Sequence, residues 1–256
     1  MAIKNNTRKV PLLSLSFNVY NEAANVERTY KECKNILIKA KIPYEIILVE
    51  GGSKDNSWKV LQALAKKNKD CRVFQTKMEP GRKVNKGMRE ARGKYFGYMC
   101  SDGQDNPNVL PKFIKLLESN KADFVKARRV NRIFWERKVI SRVYNRLSDL
   151  LFGLGLSDIN MHPKVFRREL VKGINLISVG ESIDLEVVLR AQKKGYRIVE
   201  IPVRERVRGG GKSSVNPSVA LHMLTDMLSY KWGRKSKMLN RNISGEKPSR
   251  KGSIAS

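Results

Sequence analysis

Between Pro11 and Val130 the chain alternates between short β-rich runs and longer stretches with apolar residues at helical spacing. Residues 12–18, 45–49, 72–75, 95–99 and 123–127 are dense in Val, Ile, Phe and Tyr and read as strands. Residues 23–40, 57–67, 82–91 and 109–119 lie between them and read as amphipathic helices, with Val26, Tyr30, Cys33 and Leu37 forming one such stripe. Strand, helix, strand in strict order means βαβ units, because parallel neighbours need a crossover long enough to hold a helix. The expected class is α/β, a mostly parallel central sheet flanked by helices. Such sheets bind ligands beyond the carboxyl ends of their strands, so the loops there carry the functional question.

After Val130 the rhythm changes. Residues 133–152 form one long basic amphipathic stretch. A loop around Asp158 follows, then a helix over 183–194, a strand over 197–203, a Gly- and Arg-rich loop over 204–218 and a helix over 219–231. From Gly233 the chain is Ser, Lys, Arg, Asn and Gly with few apolar residues, a composition that cannot offset its ordering entropy. The expectation is one domain over residues 1–232, closed by a basic C-terminal helix, and a disordered basic tail over 233–256. A chain of 256 residues suits one core of this size.

The charge balance is extreme, 52 Lys and Arg against 24 Asp and Glu, a formal net charge of +28. Such a field favours polyanions: nucleic acid, anionic lipid headgroups or a phosphorylated substrate. Three cysteines with no C-x-x-C pair read as free thiols of a reducing compartment. With His162 and His222 the only histidines, a histidine-built metal site or a Ser-His-Asp triad is disfavoured, and any metal should be a hard cation on oxygen ligands. No apolar run reaches the roughly 20 residues that span a bilayer, and residues 1–10 make a poor signal peptide. The expected location is cytoplasmic.

Three strand ends carry chemistry. The first strand runs into Asn18-Val19-Tyr20-Asn21-Glu22, where a flat ring and a carboxylate are placed to hold a base, or where Asn21 merely caps the next helix. The second ends in Val49-Glu50-Gly51-Gly52-Ser53, whose glycines permit close backbone approach or an ordinary βα turn. The fourth ends in Cys100-Ser101-Asp102-Gly103-Gln104. If that segment is extended, Asp102 and Gln104 point the same way, a carboxylate and an amide oxygen suited to Mg²⁺ or Mn²⁺. The other reading of the same residues is a polar turn.

Taken in this order, the pieces resemble the family 2 glycosyltransferases of the Rossmann-like GT-A fold, and within them the branch acting on polyprenyl phosphates, the dolichyl-phosphate mannose type. The resemblance rests on Tyr20-Asn21-Glu22, Val49 to Ser57, Gly87 to Gly93 with Tyr95, Cys100 to Gln104, and Arg208, Gly211 and Ser213. Further matches fall at Asp123 to Arg128, Arg137, Asp158 and Glu186 to Arg190. It implies donor-nucleotide contacts from Asn18, Tyr20, Glu22, Val49, Glu50, Gly51, Cys100, Ser101 and Asp102, and a metal on Asp102 and Gln104. It also implies phosphate contacts from Arg128, Arg137, Arg206, Arg208, Lys212 and Ser213. The chain departs from the family pattern where Glu50-Gly51 replaces an Asp pair and Cys100 replaces the first Asp of D-A-D.

The resemblance implies an inverting transfer of sugar from a UDP- or GDP-sugar to a polyprenyl or dolichyl phosphate. A lipid phosphate is already anionic and needs cations, here Arg128 and Arg137; a saccharide hydroxyl needs a base, and Asp184 is the candidate. The enzyme would work peripherally on an anionic membrane surface at its cytoplasmic face, through residues 219–232 and the basic tail. The alternative of another class, a nucleic-acid-binding protein, matches the charge but lacks zinc spacing, a helix-turn-helix pattern or an aromatic platform.

Overall fold

In the first strand, L-S-L-S-F-N-V, apolar and small polar residues alternate, and almost every position is buried. That pattern places a strand in the middle of a sheet covered on both sides. The computed structural model describes residues 10–131, 135–172, 176–207 and 217–244. Its elements are β1 (Leu13–Val19), α1 (Val26–Lys39), β2 (Tyr44–Glu50), α2 (Ser57–Lys67), β3 (Cys71–Gln75), α3 (Pro80–Glu90), β4 (Tyr95–Cys100) and α4 (Leu110–Glu118). There follow β5 (Phe124–Asn131), α5 (Trp135–Phe152), β6 (Lys164–Arg167), α6 (Ile183–Lys193), β7 (Ile198–Arg204), α7 (Pro217–Lys231) and α8 (Arg234–Ser244). One seven-stranded sheet runs β3-β2-β1-β4-β6-β5-β7. All neighbours pair in parallel except β6, which is antiparallel to both β4 and β5.

The two faces of β1 explain the layers. Leu13, Leu15, Phe17 and Val19 pack against the α1 stripe of Val26, Tyr30, Cys33 and Leu37, and against Leu110, Phe113 and Leu117 at α4. The opposite face shows Ser14 and Ser16 to α3. A Cβ on Gly87 would lie 2.2 Å from the Ser16 hydroxyl oxygen, so small residues on both sides let the helix seat directly on the strand. Val84 and Met88 of α3 join Val187, Val188 and Ala191 of α6 on that face. A third cluster joins α5 to α8 through Tyr144, Leu185, Leu189, Met227, Tyr230 and Leu239.

Two elements depart from the sequence reading. Strand β6 has only four residues, K-V-F-R, and its Lys164 is fully buried, so it carries no ordinary strand signature. The expected tail begins instead with α8. Leu239 is buried in the third cluster, and Lys235 Nζ lies 2.6 Å from Asp226 Oδ1 on α7. One anchoring leucine on a polar helix is invisible to a compositional count. Residues 245–256 lie outside the described residues.

Candidate donor and acceptor site

The site is built at the carboxyl ends of β1, β2 and β4, where three loops tie one another in place. Asn21 accepts through Oδ1 from the Lys54 amide at 2.8 Å, and its own amide donates to Ser53 Oγ at 2.9 Å. Asp55 Oδ2 accepts from the Ala23 amide at 3.0 Å. Asn21 therefore bridges two loops and does not cap α1. Glu22 is buried, accepting from Asn25 Nδ2 at 2.8 Å while its amide donates to Ser57 Oγ at 2.9 Å. Tyr20 stays half-buried beside them.

The loop after β2 turns inward. The Val49 side chain belongs to the core. Glu50 is 1% exposed; it accepts from the Ser53 amide and from Gln75 Nε2, and although burial pushes its carboxyl upward, these donors bring it below the ordinary range. Glu50 thus braces its own turn. A Cβ on Gly51 would meet Lys83 Cδ at 3.1 Å and Met78 Cα at 3.2 Å.

Lys83 was not singled out from the sequence. It projects from α3, is 6% exposed, and holds Nζ 5.5 Å over the Tyr20 ring. Burial lowers its pKa, opposed by Cys100, Glu181, Glu50 and Glu79, which places the ammonium among the three loops. A lysine beside the inward stripe of Val84, Gly87 and Met88 was the signal available.

After β4 the chain bends at Gly103, with φ of +81°, and Asp102 Oδ1 accepts from the Gln104 amide at 3.0 Å. The segment is a turn and not the extended stretch expected, so the alternation argument for a shared direction fails. Asp102 and Gln104 are both half-buried on this turn, and their side-chain oxygens are of the hard kind that Mg²⁺ or Mn²⁺ takes. Ser101 Oγ donates to the Asn18 carbonyl at 3.0 Å, and Asp105 Oδ2 accepts from the Cys100 amide at 2.8 Å. Burial, reinforced by Asp102, pushes the Asp105 carboxyl up to about 6, against the opposing pull of His162.

Beneath the turn, Asp184 Oδ1 receives Tyr98 Oη at 2.6 Å and Lys164 Nζ at 2.7 Å, with His162 Nε2 at 3.2 Å. Burial raises the Asp184 carboxyl, but Lys164 and His162 overcome it and hold the group well below the usual carboxylate range. A carboxylate so enclosed and so weakly basic is badly suited to take a substrate proton. Glu181, half-buried, is the more basic of the two carboxylates: burial and Asp184 push it upward, with Lys83 and His162 opposing.

The cations divide. Arg128 is half-buried on β5, paired in register with Pro202. Arg129 is committed to Asp158 at 2.8 Å and to Glu205 at 3.2 Å. The Arg206 guanidinium, expected on phosphate, is held by Glu32 at 2.7 Å and by the Asn106 side chain at 3.0 Å, while its amide donates to the Gln104 carbonyl at 3.1 Å. It therefore ties the end of β7 to the Asp102–Gln104 turn. The Arg137 side chain, Arg208, Lys212 and Ser213 lie outside the described residues. Beside Arg129 opens a groove of about 570 Å³, lined by Lys138, Arg142, Asn145 and Arg146 of α5 and by Asp158.

Residues 17–174 match the family described as Glycosyl transferase family 2. The chain is 28% identical over 213 residues to the dolichol-phosphate mannosyltransferase of Pyrococcus furiosus, covering 79% of this chain and 59% of that protein. It is 27% identical to the undecaprenyl-phosphate 4-deoxy-4-formamido-L-arabinose transferase of Serratia proteamaculans, covering 85% of this chain and 67% of that one. The chain thus spans about three fifths to two thirds of the length of these relatives. Among solved structures, glucosyl-3-phosphoglycerate synthase of Mycobacterium tuberculosis, in complex with Mn²⁺, UDP and glucosyl-3-phosphoglycerate, superposes with a TM-score of 0.69 at 15% identity. That match covers 86% of this chain and 80% of the synthase, and it gives the same GT-A arrangement of sheet and helices. The sheet order, the three tied loops and the extent of the family match lead to one statement: the chain belongs to glycosyl transferase family 2.

Proposed function

We propose that the chain transfers a sugar, with inversion, from a UDP- or GDP-sugar to a polyprenyl or dolichyl phosphate at an anionic membrane surface. Asp102 and Gln104 would hold Mg²⁺ or Mn²⁺, which supplies charge neutralisation for the leaving diphosphate. Tyr20 and the backbone of residues 49–51 would face the nucleotide, and Lys83 would add a cation from below. Relatives named for dolichol phosphate and undecaprenyl phosphate support the acceptor, and a fold neighbour bound to UDP and Mn²⁺ supports the donor and the metal.

One observation carries the acceptor. Helix α5 lines a cationic groove with Lys138, Arg142 and Arg146 while exposing Val139, Ile140, Val143 and Leu150 to solvent. Cations for a phosphate and apolar side chains for a lipid share one helix, an arrangement a soluble sugar acceptor does not need. Leu221 and Leu228 on α7, and Trp232 just after it, are exposed apolar residues as well. No helix among the described residues is long and apolar enough to cross a membrane.

The second reading, transfer to a saccharide hydroxyl, rests on Glu181 and no longer on Asp184. A panel of UDP- and GDP-sugars, offered with polyprenyl phosphate in vesicles or with soluble saccharides, and with Mn²⁺ or a chelator, separates the two. Metal-dependent transfer to the lipid phosphate that survives Glu181→Gln is the expected result. Transfer to saccharides alone, abolished by Glu181→Gln, would replace the proposal with the second reading.

A further inference from the structure

We propose that Cys100, Asp105 and His162 form a second cation site, separate from the Asp102–Gln104 turn and suited to a borderline divalent ion of the zinc class. One ligand atom from each lies within 4.8 Å of the others. Cys100 Sγ lies 3.8 Å from His162 Nδ1. A tetrahedral ion with a sulfur at about 2.3 Å and a nitrogen at about 2.0–2.1 Å separates those two ligands by about 3.6 Å. The pair therefore stands near the span such an ion requires, and side-chain rotation of the Asp105 carboxylate completes the set.

Each ligand is prepared by its neighbours. The Asp184 carboxylate beside His162 Nε2, at 3.2 Å, favours the tautomer with the proton on Nε2. The lone pair of Nδ1 then faces Cys100. This is the carboxylate–histidine arrangement that orients metal-ligating imidazoles, and Lys164 in turn holds the carboxylate ionised. Asp105 is 5% exposed, yet among the described residues it forms no ion pair; its hydrogen bond comes from the Cys100 amide. Burying a carboxylate is costly, and a bound ion would offset that cost beyond what the nearby His162 and Arg129 provide.

The ligand chemistry separates the two sites. Thiolate and imidazole select zinc or cobalt over magnesium, whereas the Asp102–Gln104 oxygens select hard ions. Thiolate, carboxylate and neutral imidazole sum to −2, so a divalent ion leaves the buried cluster neutral. Binding breaks the S–H bond, forms a metal–sulfur bond and releases one proton to solvent. Three protein ligands leave a fourth position for water. Because Cys100 and Asp105 bracket the turn carrying Asp102, occupancy of this site would also stiffen the loop.

Co²⁺ titrated into metal-stripped full-length protein tests this without recourse to transferase activity. A single equivalent should produce thiolate-to-cobalt charge-transfer absorption, displaced by Zn²⁺, and lost in Cys100→Ser and in His162→Gln. Asp102→Asn should keep it, which distinguishes this site from the donor-metal site. Circular dichroism of each variant guards against loss of fold, and Cys33 and Cys71, both buried, serve as internal controls. Absence of the band in the parent protein, its persistence in Cys100→Ser, or its equal loss in Asp102→Asn would each overturn the proposal.

Discussion

Strands β1 to β4 and the elements from β5 onward differ in the charged side chains they bury. In the first region Leu13, Leu15, Phe17, Ile46, Leu48 and Met99 make a dry core, and buried acids such as Glu50 and Asp105 accept from loop amides. In the second, Lys126, Lys164 and Arg190 are fully buried and answered by Glu200, Asp184 and Glu186. The outsides are reversed as well: aliphatic residues of α5 and α7 face solvent. Buried ion pairs add little net stability over apolar packing, so their presence points to arrangement and not to strength. The first region is a scaffold for loops at strand ends. The second adds buried ion pairs to its apolar clusters and carries exposed aliphatic residues on α5 and α7.

The ion pairs should therefore be the most fragile part of the molecule. Glu186 accepts from Arg190 Nε at 2.8 Å, from the Ser178 amide at 2.6 Å, from the Ile177 amide at 2.9 Å and from the Tyr230 hydroxyl at 2.7 Å. It joins α6, α7 and the segment before α6. Glu186→Gln leaves Arg190 buried without its charge partner and should cost about 3–5 kcal/mol in denaturant unfolding. A cost under about 1 kcal/mol would erase the contrast between the regions.

Asp102→Asn probes the other side. The residue sits on a half-buried turn, so its charge matters to a ligand more than to the fold. Metal-dependent turnover should fall about 10²–10³-fold, while stability moves by less than about 0.5 kcal/mol. Full metal-dependent nucleotide binding in this variant would remove the donor-metal assignment. Unfolding comparable to that of Glu186→Gln would show that the loops are structural after all.

The same division explains what could be read in advance. Strands β1 to β4 and helices α1 to α4 were legible because apolar periodicity and core burial coincide in the first region, and α2 was expected over the very residues it occupies. The Asp102–Gln104 turn was found through its residue types, although its direction was misjudged because Gly103 takes a positive φ. In the second region α6, β7 and α7 were legible in the same way, and the signal fails at β6 and α8. The buried lysine of β6 reads as surface, and α8 shows one anchoring leucine among lysines and arginines. Asp184 looked like a base because sequence cannot show that Lys164, twenty residues earlier, would bury beside it. Lys83 and His162 were passed over for the same reason: their partners come from other loops.

A pH titration sharpens the contrast further. Lys126 Nζ donates to the Ala127 carbonyl at 2.8 Å, to the Asp158 carbonyl, and to Glu200 Oε1 at 3.2 Å. Burial, aided by Lys164, lowers its pKa from 10.5 to about 8, against the opposing pull of Glu200 and Asp158. Between those values the unfolded chain carries a proton that the folded chain has lost, so stability from this group rises as pH rises through the window. Lys126→Met removes the titration. The stability of the parent relative to this variant should shift by about 3 kcal/mol in the parent's favour between neutral pH and pH ~10.5, at 1.36 kcal/mol per pKa unit. An unchanged difference at both pH values would mean the lysine is not penalised by its burial.

The smallest effect tests the reversed exterior itself. Val143 is 56% exposed and Leu150 81% exposed on α5, beside the groove lined by Arg142 and Arg146. Fully burying such a side chain is worth roughly 1.5–3 kcal/mol, and partial insertion at a bilayer interface about 1 kcal/mol. Val143→Glu or Leu150→Glu should therefore weaken partition onto anionic vesicles about fivefold each, with some added repulsion at low salt. Because neither side chain belongs to the buried clusters, unfolding should shift by less than about 0.5 kcal/mol. Arg142→Ala should reduce binding chiefly at low salt, since its charge is screened within about 10 Å at 0.1 M. Scattered apolar residues of the first region, Ile38 among them at 54% exposed, provide the control: Ile38→Glu should leave vesicle binding unchanged. If Ile38→Glu weakens binding as much as Val143→Glu, the exposed stripe on α5 is ordinary surface and the lipid-facing role of the second region falls.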